Sequence, residues 1–565
     1  LFDPAGPRLV RNVPLFDTPN ANDTLVRDVS ITPDGRLAFV RVDGSAVVMV
    51  IDIEHGTRTD VTLDGPVTDL DLSPEGKAFS GTATYETQVV LDGVEPGASV
   101  ELDLGRVDMA ASVRVNGVCV GTAWAPPYRV DITRALKPGL NSLSVDVEQS
   151  DAVSGAKRIK MLGLAGFYTQ ILVEKNPLMR GLISPFGLEY IPGFWIDAID
   201  ISKGTASVAT GYESITGQIN VELAKPEDSR PLALNAYQNS MGRSELTLSA
   251  ARKVTPKLST MLLSYGSYNR QRWDEDGDTF LDMPLVSHIS LMNRWKYHSS
   301  SGDGQIGFKI LRDTRDGGQT GFDFGRPRAA NSGYGSRNRI GRYEFFAKAG
   351  TAFGGGRSIG LILSGFHHDQ DSFWGAKGYN GLEQSLYANL IFEKEAAHHR
   401  FSSGLSFLLD ERDETYQEQL FKTRERVPGL FAEYTWKPND RLSAMAGFRY
   451  DNHNLYGGFY TPRLHLKYQA DALTALRLSA GKGYRVPHLF MDNPAMLASS
   501  REVIFAESLE AEEAWNAGMQ LTREFSLGQD RPGTLALDFY RTEFLQQTVV
   551  DLDSDPRTIL LYNLD

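Results

Sequence analysis

The sequence predicts an all-β protein dominated by one long antiparallel sheet. Three observations carry that prediction. From Pro226 onward the chain alternates strand and turn, with no convincing long helix. Within those runs apolar and polar residues alternate. Leu442, Ala444, Ala446, Phe448 and Tyr450 fall on one face, and Ser443, Met445, Gly447, Arg449 and Asp451 on the other. The 54 glycines supply the turns such a chain requires.

Bulk properties narrow the class. A chain of 565 residues exceeds one ordinary core. A net charge of −13 lacks the basic footprint of a nucleic-acid partner. No apolar run approaches the ~20 residues of a membrane helix. Barrel strands escape that test, because lipid-facing and water-facing residues alternate along them. The single cysteine, Cys119, forms no intrachain disulfide or multi-thiolate metal site, and its apolar strand makes it inert core. The chain starts at Leu1 without a visible signal peptide, so a mature form or a fragment is expected.

Residues 1–77 carry an internal repeat. Asp28-Val-Ser-Ile-Thr-Pro-Asp-Gly-Arg36 returns as Asp69-Leu-Asp-Leu-Ser-Pro-Glu-Gly-Lys77, 41 residues on. Each copy sets a short strand before a Pro-Asp/Glu-Gly turn, and strand-like runs lie between. A period near 40 with about four strands marks a propeller blade. The segment resembles the YVTN/WD40-like β-propellers, as a fragment of a blade or two.

Residues 78–149 form a second all-β segment, with strands expected at 82–91, 99–104, 111–115, 118–123 and 142–147. Asn116-Gly117 is a hairpin signal. Phe79-Ser-Gly-Thr-Ala-Thr-Tyr85, Val115-Asn-Gly117, Pro127-Tyr128, Asp131-Ile-Thr133 and Leu136-Lys-Pro-Gly139 resemble the galactose-binding-like jelly roll of glycoside hydrolases, in particular α-L-rhamnosidase-like enzymes. Trp124 and Tyr128 are sugar-stacking candidates, weighed against an ordinary place in the sandwich core. The paired carboxylates of a glycosidase are not recognisable here, so no catalysis is expected.

Residues 150–228 change grammar. Ile199-Asp-Ile-Ser-Lys-Gly-Thr-Ala-Ser-Val208 and Gly211-Tyr-Glu-Ser-Ile-Thr-Gly-Gln-Ile-Asn-Val221 place glycines at fixed offsets among alternating apolar residues. Lys203, Gly204, Ser207, Gly211, Gly217, Ile219 and Asn220 fit, in register, the final part of a TonB-dependent receptor plug. In residues 229–565, Gly447-Phe-Arg-Tyr-Asp451, Thr461-Pro-Arg-Leu464 and Leu476-Arg-Leu-Ser-Ala-Gly-Lys-Gly-Tyr-Arg-Val-Pro487 follow in the order of the same family's barrel. They single out Arg449, Asp451, Pro462, Arg463, Gly481, Gly483, Arg485 and Pro487.

That resemblance implies a partial plug domain followed by an incomplete antiparallel transmembrane β-barrel. About 16 strands are readable, against 22 in plugged transporters. First and last strands are therefore expected to present unpaired edges. Tyr265, Tyr268 and Trp273 are expected in an interfacial aromatic girdle. The resemblance also implies a receptor in the bacterial outer membrane, surrounded by its lipid, that transports a small-molecule or glycan ligand. The energy-coupling protein TonB is the implied partner, although its contact box is not seen in this chain. Two rivals stand beside this reading: a carbohydrate-active enzyme or sugar-binding module in 78–149, and a composite chain of unrelated fragments. The composite origin is favoured, since the junctions near Lys77 and Gln149 lack Pro-, Ser- or Gly-rich linkers.

Site chemistry is sparse, and no cofactor is expected apart from calcium. Asp274, Asp276, Asp278 and Asp282 occupy positions 1, 3, 5 and 9 of an EF-hand-like calcium loop, but Thr279 replaces its glycine and Leu285 its terminal glutamate. The alternative is a solvated acidic loop. His367-His368-Asp369 and His398-His399 read as ordinary barrel or turn residues, because adjacent strand residues point to opposite faces. Ser, His and Asp occur throughout, but no strained nucleophile elbow that would activate a serine is read among them.

Overall fold

The computed structural model describes the strands between residues 26 and 148, and residues 159–564 apart from 275–278, 332, 500, 527–531, 552–553 and 555–556. Trp124, Tyr128, Asp276, Asp278, the side chain of Cys119 and the two Pro-Asp/Glu-Gly turns lie outside the described residues. The chain divides into two compact units, one carrying residues 1–152 with the short segments 499–504 and 550–560, the other the remainder.

Val26–Ile31 (β1), Leu37–Val42 (β2), Val47–Asp52 (β3) and Thr57–Thr62 (β4) pair antiparallel in sequence order. A separate group follows: Thr82–Leu91 (β5), Glu101–Asp103 (β6), Ala110–Val115 (β7), Val118–Ala123 (β8), Arg129–Asp131 (β9) and Gly139–Glu148 (β10). It forms a sheet of order β5-β10-β7-β8 and a two-stranded β6-β9 sheet. Asn116 turns the β7–β8 hairpin at φ 53°, the left-handed conformation that asparagine tolerates.

Residues 159–225 hold little regular structure. Thr169–Val173 (β11), Ile196–Lys203 (β12) and Gly217–Leu223 (β13) make a small mixed sheet of order β11-β13-β12, with β11 parallel to β13. Short 3-10 turns at Gly181–Ile183, Gly187–Tyr190, Gly193–Trp195 and Val208–Thr210 connect it.

The remaining strands belong to one 17-stranded sheet. They are Leu232–Gln238 (β14), Ser244–Thr255 (β15), Leu258–Asn269 (β16), Leu285–Ser299 (β17), Gly302–Gly318 (β18), Gly335–Phe353 (β19), Arg357–Trp374 (β20), Lys377–Ala396 (β21) and His399–Tyr416 (β22). Gln419–Asn439 (β23), Leu442–His453 (β24), Gly457–Gln469 (β25), Thr474–Arg485 (β26), Glu502–Phe505 (β27), Glu512–Ser526 (β28), Pro532–Asp551 (β29) and Thr558–Leu564 (β30) complete it. The count exceeds the expected sixteen. β27 is a four-residue strand inside the connection after Pro487, too short to show alternation, and it also pairs with β30. β14 and β30 are not hydrogen-bonded to each other among the described residues.

The alternation is realised strand by strand. On β24, Ala446 and Phe448 are exposed, whereas Arg449, Asp451 and His453 are buried. Leu535, Leu537 and Phe539 point outward from β29. One rim has turns of two to four residues after β15, β17, β19, β21, β23 and β25. Just inside it, Trp295, Tyr297, Phe353, Tyr434, Trp436 and Tyr468 form an exposed aromatic band. The other rim carries the long connections 270–284, 319–334 and 486–511. The girdle expectation needs correction at Tyr265 only, since Tyr268 near the end of the same strand is exposed. Tyr265 is 7% exposed and packs on His288 inside the sheet, because its parity on β16 points it inward.

Residues 159–225 pack against the inner face of this sheet. Val173, Leu178, Ile183, Phe186, Trp195, Ile219 and Leu223 meet Met261, Leu263, Met292, Leu311, Ile340 and Phe346 in one apolar core. Burial at about 1.5–3 kcal/mol per large apolar side chain makes this the main adhesive between plug and wall.

Candidate functional site

The site is the contact between the internal segment and the arginines that the wall points inward. Its centre is the turn at 206–211. Ser207 caps the 3-10 turn Val208–Thr210 by accepting the Ala209 N–H at 3.2 Å. Gly204 (φ 75°) and Gly211 (φ 116°) bracket it in conformations that L side chains rarely adopt. The exposed carbonyls of such a turn need donors. Arg463 on β25 supplies them to Ala206 at 2.7 Å, Ser207 at 2.8 Å and Gly211 at 3.1 Å. Arg449 on β24 donates to the Val208 carbonyl at 3.2 Å while Asp451 holds its other nitrogens at 2.5 and 2.6 Å. Gly481 and Gly483 let β26 approach, since a Cβ at either would meet Thr205 Oγ1 at 2.5 Å or the Ser214 carbonyl at 2.7 Å. Pro462 precedes Arg463, where pairing of β25 with β26 begins, so its missing N–H costs that ladder nothing.

A second contact was not singled out from the sequence. Arg180 is buried and meets Glu213 at 3.1 Å, Asp410 at 3.2 Å and Glu425 at 3.3 Å. Burial alone would lower its affinity for a proton, but the three carboxylates hold it above the ordinary guanidinium range. Arg412 also contacts Glu425 at 3.1 Å, and Glu383 accepts the Leu182 N–H at 2.9 Å. The available signal was parity: Glu383, Asp410, Arg412 and Glu425 all fall on the inward register of their strands.

Glu174 is the third. Its carboxylate receives Arg294 at 3.0 Å, Lys225 at 2.8 Å, Lys348 at 3.2 Å and the Leu223 N–H at 3.1 Å. Burial opposes its charge, yet Arg294, Lys348 and Lys225 outweigh that and hold the carboxyl well below its usual range. Glu174 and Lys175 both sit at positive φ in a tight turn, which sequence periodicity does not reveal.

A His-Asp-Ser chain lies near Tyr190. His288 contacts Asp313 at 3.1 Å and Ser290 at 2.8 Å. The connectivity is that of a hydrolase triad, but Ser290 is 0% exposed and Tyr190 stacks on the imidazole. Asp313 accepts the Tyr190 hydroxyl at 2.8 Å and the Arg315 Nε at 2.8 Å. The chain therefore fastens the plug to β17 and β18.

The other motif residues are dispersed. Lys203 pairs with Asp538 at 2.8 Å, Gly217 and Ile219 lie in β13, and Asn220 accepts the Lys175 N–H at 2.7 Å. Arg485 contacts Glu512 at 2.5 Å and Asp492, and lies over the Phe167 ring; Pro487 follows it outside the strand. Among the calcium candidates, Asp274 accepts the Thr279 N–H at 3.0 Å, closing a local turn, and the Asp282 N–H bonds Trp273. His368 is buried and bonds Gln370, while His398 and His399 sit exposed at a short turn beside Lys437 and Tyr434.

At the long-loop rim, arginines and aromatic rings interleave. Arg272 and Arg337 approach the Phe324 ring at 5.8 and 5.0 Å, and Arg328 approaches Phe373 at 5.6 Å. Asp316 neutralises Arg337 at 2.6 Å. Arg272 and Arg328 have no acidic partner among the described residues. Arg272 also donates to the Thr320 and Phe322 carbonyls, and its connection carries the acidic residues Asp274 and Asp282.

Comparison with known proteins follows this geometry. The family described as TonB dependent receptor-like, beta-barrel, matches residues 235–564, more than half of the chain. The ferrienterobactin receptor of Escherichia coli K12 is 23% identical over 128 residues, 22% of this chain and 17% of that protein. A putative beta-glucuronidase of Formosa agariphila is 45% identical over 73 residues, 13% of this chain and 6% of that protein. The chain thus spans only small parts of these curated relatives. Among solved structures, the ferric enterobactin receptor PfeA of Pseudomonas aeruginosa aligns with a TM-score of 0.58 at 14% identity, over 74% of this chain and 71% of that one. The siderophore receptor PirA of Acinetobacter baumannii aligns at 0.54 and 13%, over 73% and 71%.

Proposed function

Because this chain belongs to the TonB-dependent receptor family of bacterial outer-membrane β-barrels, we propose that it takes up an anionic ferric chelate of the siderophore class. The observation that carries the uptake reading is the plug turn whose carbonyls Arg449 and Arg463 hold inside the sheet. Hydrogen bonds and ion pairs of this kind exchange with water at modest net cost, so the plug is seated yet able to rearrange. The short-turn rim faces the periplasm and the long-loop rim the medium, as in outer-membrane barrels generally. Arg272 and Arg328 then offer a positive, aromatic-lined first contact to a catecholate complex, and release to the periplasm draws on TonB. The relatives named as siderophore receptors support that ligand class.

The test is binding of ferric enterobactin, used as a probe, to cells expressing the protein. Arg272→Ala combined with Arg328→Ala should weaken binding by roughly tenfold or more, about 1.4 kcal/mol. Unchanged affinity in the double variant would overturn the assignment of that rim. A second reading, a carbohydrate-binding module within the chain, is favoured by the beta-glucuronidase likeness alone. Retention on immobilised glycans by the purified protein would support it.

A further inference from the structure

The outer face of the sheet is not apolar along its whole height. On β23 the outward residues run Trp436, Tyr434, Ala432, Leu430 and Pro428 away from the short-turn rim, all exposed. Beyond them the same face carries Arg426, Arg424 and Lys422, also exposed. Trp436 and Arg426 are ten residues apart, about 33 Å of strand at 3.3 Å per residue. A tilt of about 40° reduces that to roughly 25 Å, the height of the apolar band of an outer-membrane barrel. Arg426 therefore stands where hydrocarbon ends and headgroups begin. Tyr450 and Tyr460, their rings 4.9 Å apart, lie across the ladder from Leu430 just below, as interfacial tyrosines do.

The three cations are held differently. Lys422 pairs with Asp413 at 2.9 Å and Arg424 with Glu411 at 2.5 Å, both partners lying on β22 and all four side chains exposed. Exposed pairs of this kind contribute little and exchange readily. The Arg426 guanidinium has no acidic partner among the described residues. The backbone beneath is fixed, because Asn454 accepts the Arg426 N–H at 2.6 Å and donates to the Arg424 carbonyl at 2.9 Å. Across the ladder the Arg424 row continues through Glu411, Gln384 and His367, and the Lys422 row through Asp413, Leu382 and Asp369. Carboxylates and an amide thus lie beside the cations on the same outward face.

We propose that Lys422, Arg424 and Arg426 bind the phosphate of a phosphorylated glycolipid in the outer leaflet. The proposal rests on the receptor reading above, which sets this rim toward the medium. Phosphate is the acceptor that a planar guanidinium matches, and two arginines two residues apart on one strand grip it from the same side. The neighbouring carboxylates and the Gln384 amide accept from hydroxyls, so a headgroup that joins phosphate to sugar satisfies both halves of the row. Its acyl chains then lie on Leu430, Leu405, Phe407 and Phe448, which are exposed below the cations.

The probe is bisphosphorylated lipid A, added to the whole purified protein in detergent, with retained lipid counted by native mass spectrometry. Arg424→Gln with Arg426→Gln should weaken retention by roughly tenfold or more. Arg312→Gln with Arg339→Gln removes the same charge from exposed positions on β18 and β19 and should leave retention unchanged. Matching melting temperatures without lipid show that both variants are folded. Lipid A stripped of its phosphates should bind the unaltered protein no better than intact lipid A binds the first variant, an arm that needs no substitution. Equal retention by the first variant and the unaltered protein overturns the proposal, as does an equal loss in both variants, which means net charge alone. Displacement of the lipid by inorganic phosphate, or equal retention of phosphatidylglycerol, also overturns it, because the site then takes any phosphate. Orientation is read separately: Arg328→Cys in a Cys119→Ser background should react with an impermeant maleimide on intact cells. Reaction only after lysis puts this rim in the periplasm, and the receptor reading fails there whatever the purified protein binds.

Discussion

Arg294 Nη1 lies 3.0 Å from Glu174 Oε1, and neither side chain reaches solvent. One comes from β17 and the other from a tight turn of the plug, so the pair joins wall and plug directly. Arg294 also donates to the Leu223 and Ala224 carbonyls, at 3.3 and 3.0 Å. Removing Arg294 takes one of three cations from Glu174, leaving Lys225 and Lys348, and removes the donor to both carbonyls. Arg294→Met should lower the unfolding free energy by about 1–3 kcal/mol. Glu174→Gln with Arg294→Met should recover part of that loss, as measured by thermal melting in detergent.

The same pair predicts an acid limit. The Glu174 carboxyl is held below its unfolded value, so its stabilising contribution is fully present above the ordinary carboxylate range. It is lost as pH falls through the depressed folded value. Melting temperature should therefore drop more steeply for the native protein than for Glu174→Gln between about pH 5 and the lowest pH at which the protein stays soluble. Parallel curves would show that Glu174 does not carry the effect.

Arg463 reads three carbonyls with one planar fork, a geometry an ammonium group does not match. Arg463→Lys should behave nearly like Arg463→Met. In both, the amides of 208–211 should exchange hydrogen faster while those of β13 stay protected. Equal protection in wild type and Arg463→Met would remove Arg463 from the seating of the turn.

Gly481 has no room for a side chain. Its Cβ would meet Thr205 Oγ1 at 2.5 Å, Arg463 Cγ at 2.9 Å and the Pro462 carbonyl at 3.0 Å. Gly481→Ala should cost about 1–3 kcal/mol by overpacking. Combining it with Thr205→Ser, which keeps the hydroxyl, should recover less than combining it with Thr205→Gly, and the melting temperatures of the three variants decide this.

What the sequence by itself determined is the local grammar. Alternation placed Arg449 and Asp451 on the inner face and Phe448 on the outer, because a strand repeats every two residues and lipid tolerates only one of the two faces. The spacing of Gly204 and Gly211 likewise announced turns, since few other residues accept their φ. Only the tertiary structure decided what those inward groups touch. Arg180 stands 230 residues from Asp410 and 245 from Glu425, and Tyr190 stands 123 from Asp313. A period of two says that a side chain points inward but not what lies opposite. Tyr265, expected at the membrane boundary, faces His288 for that reason. Where the plug grips the wall depends on how a glycine-rich segment is threaded through the barrel, and that is settled by packing at long range.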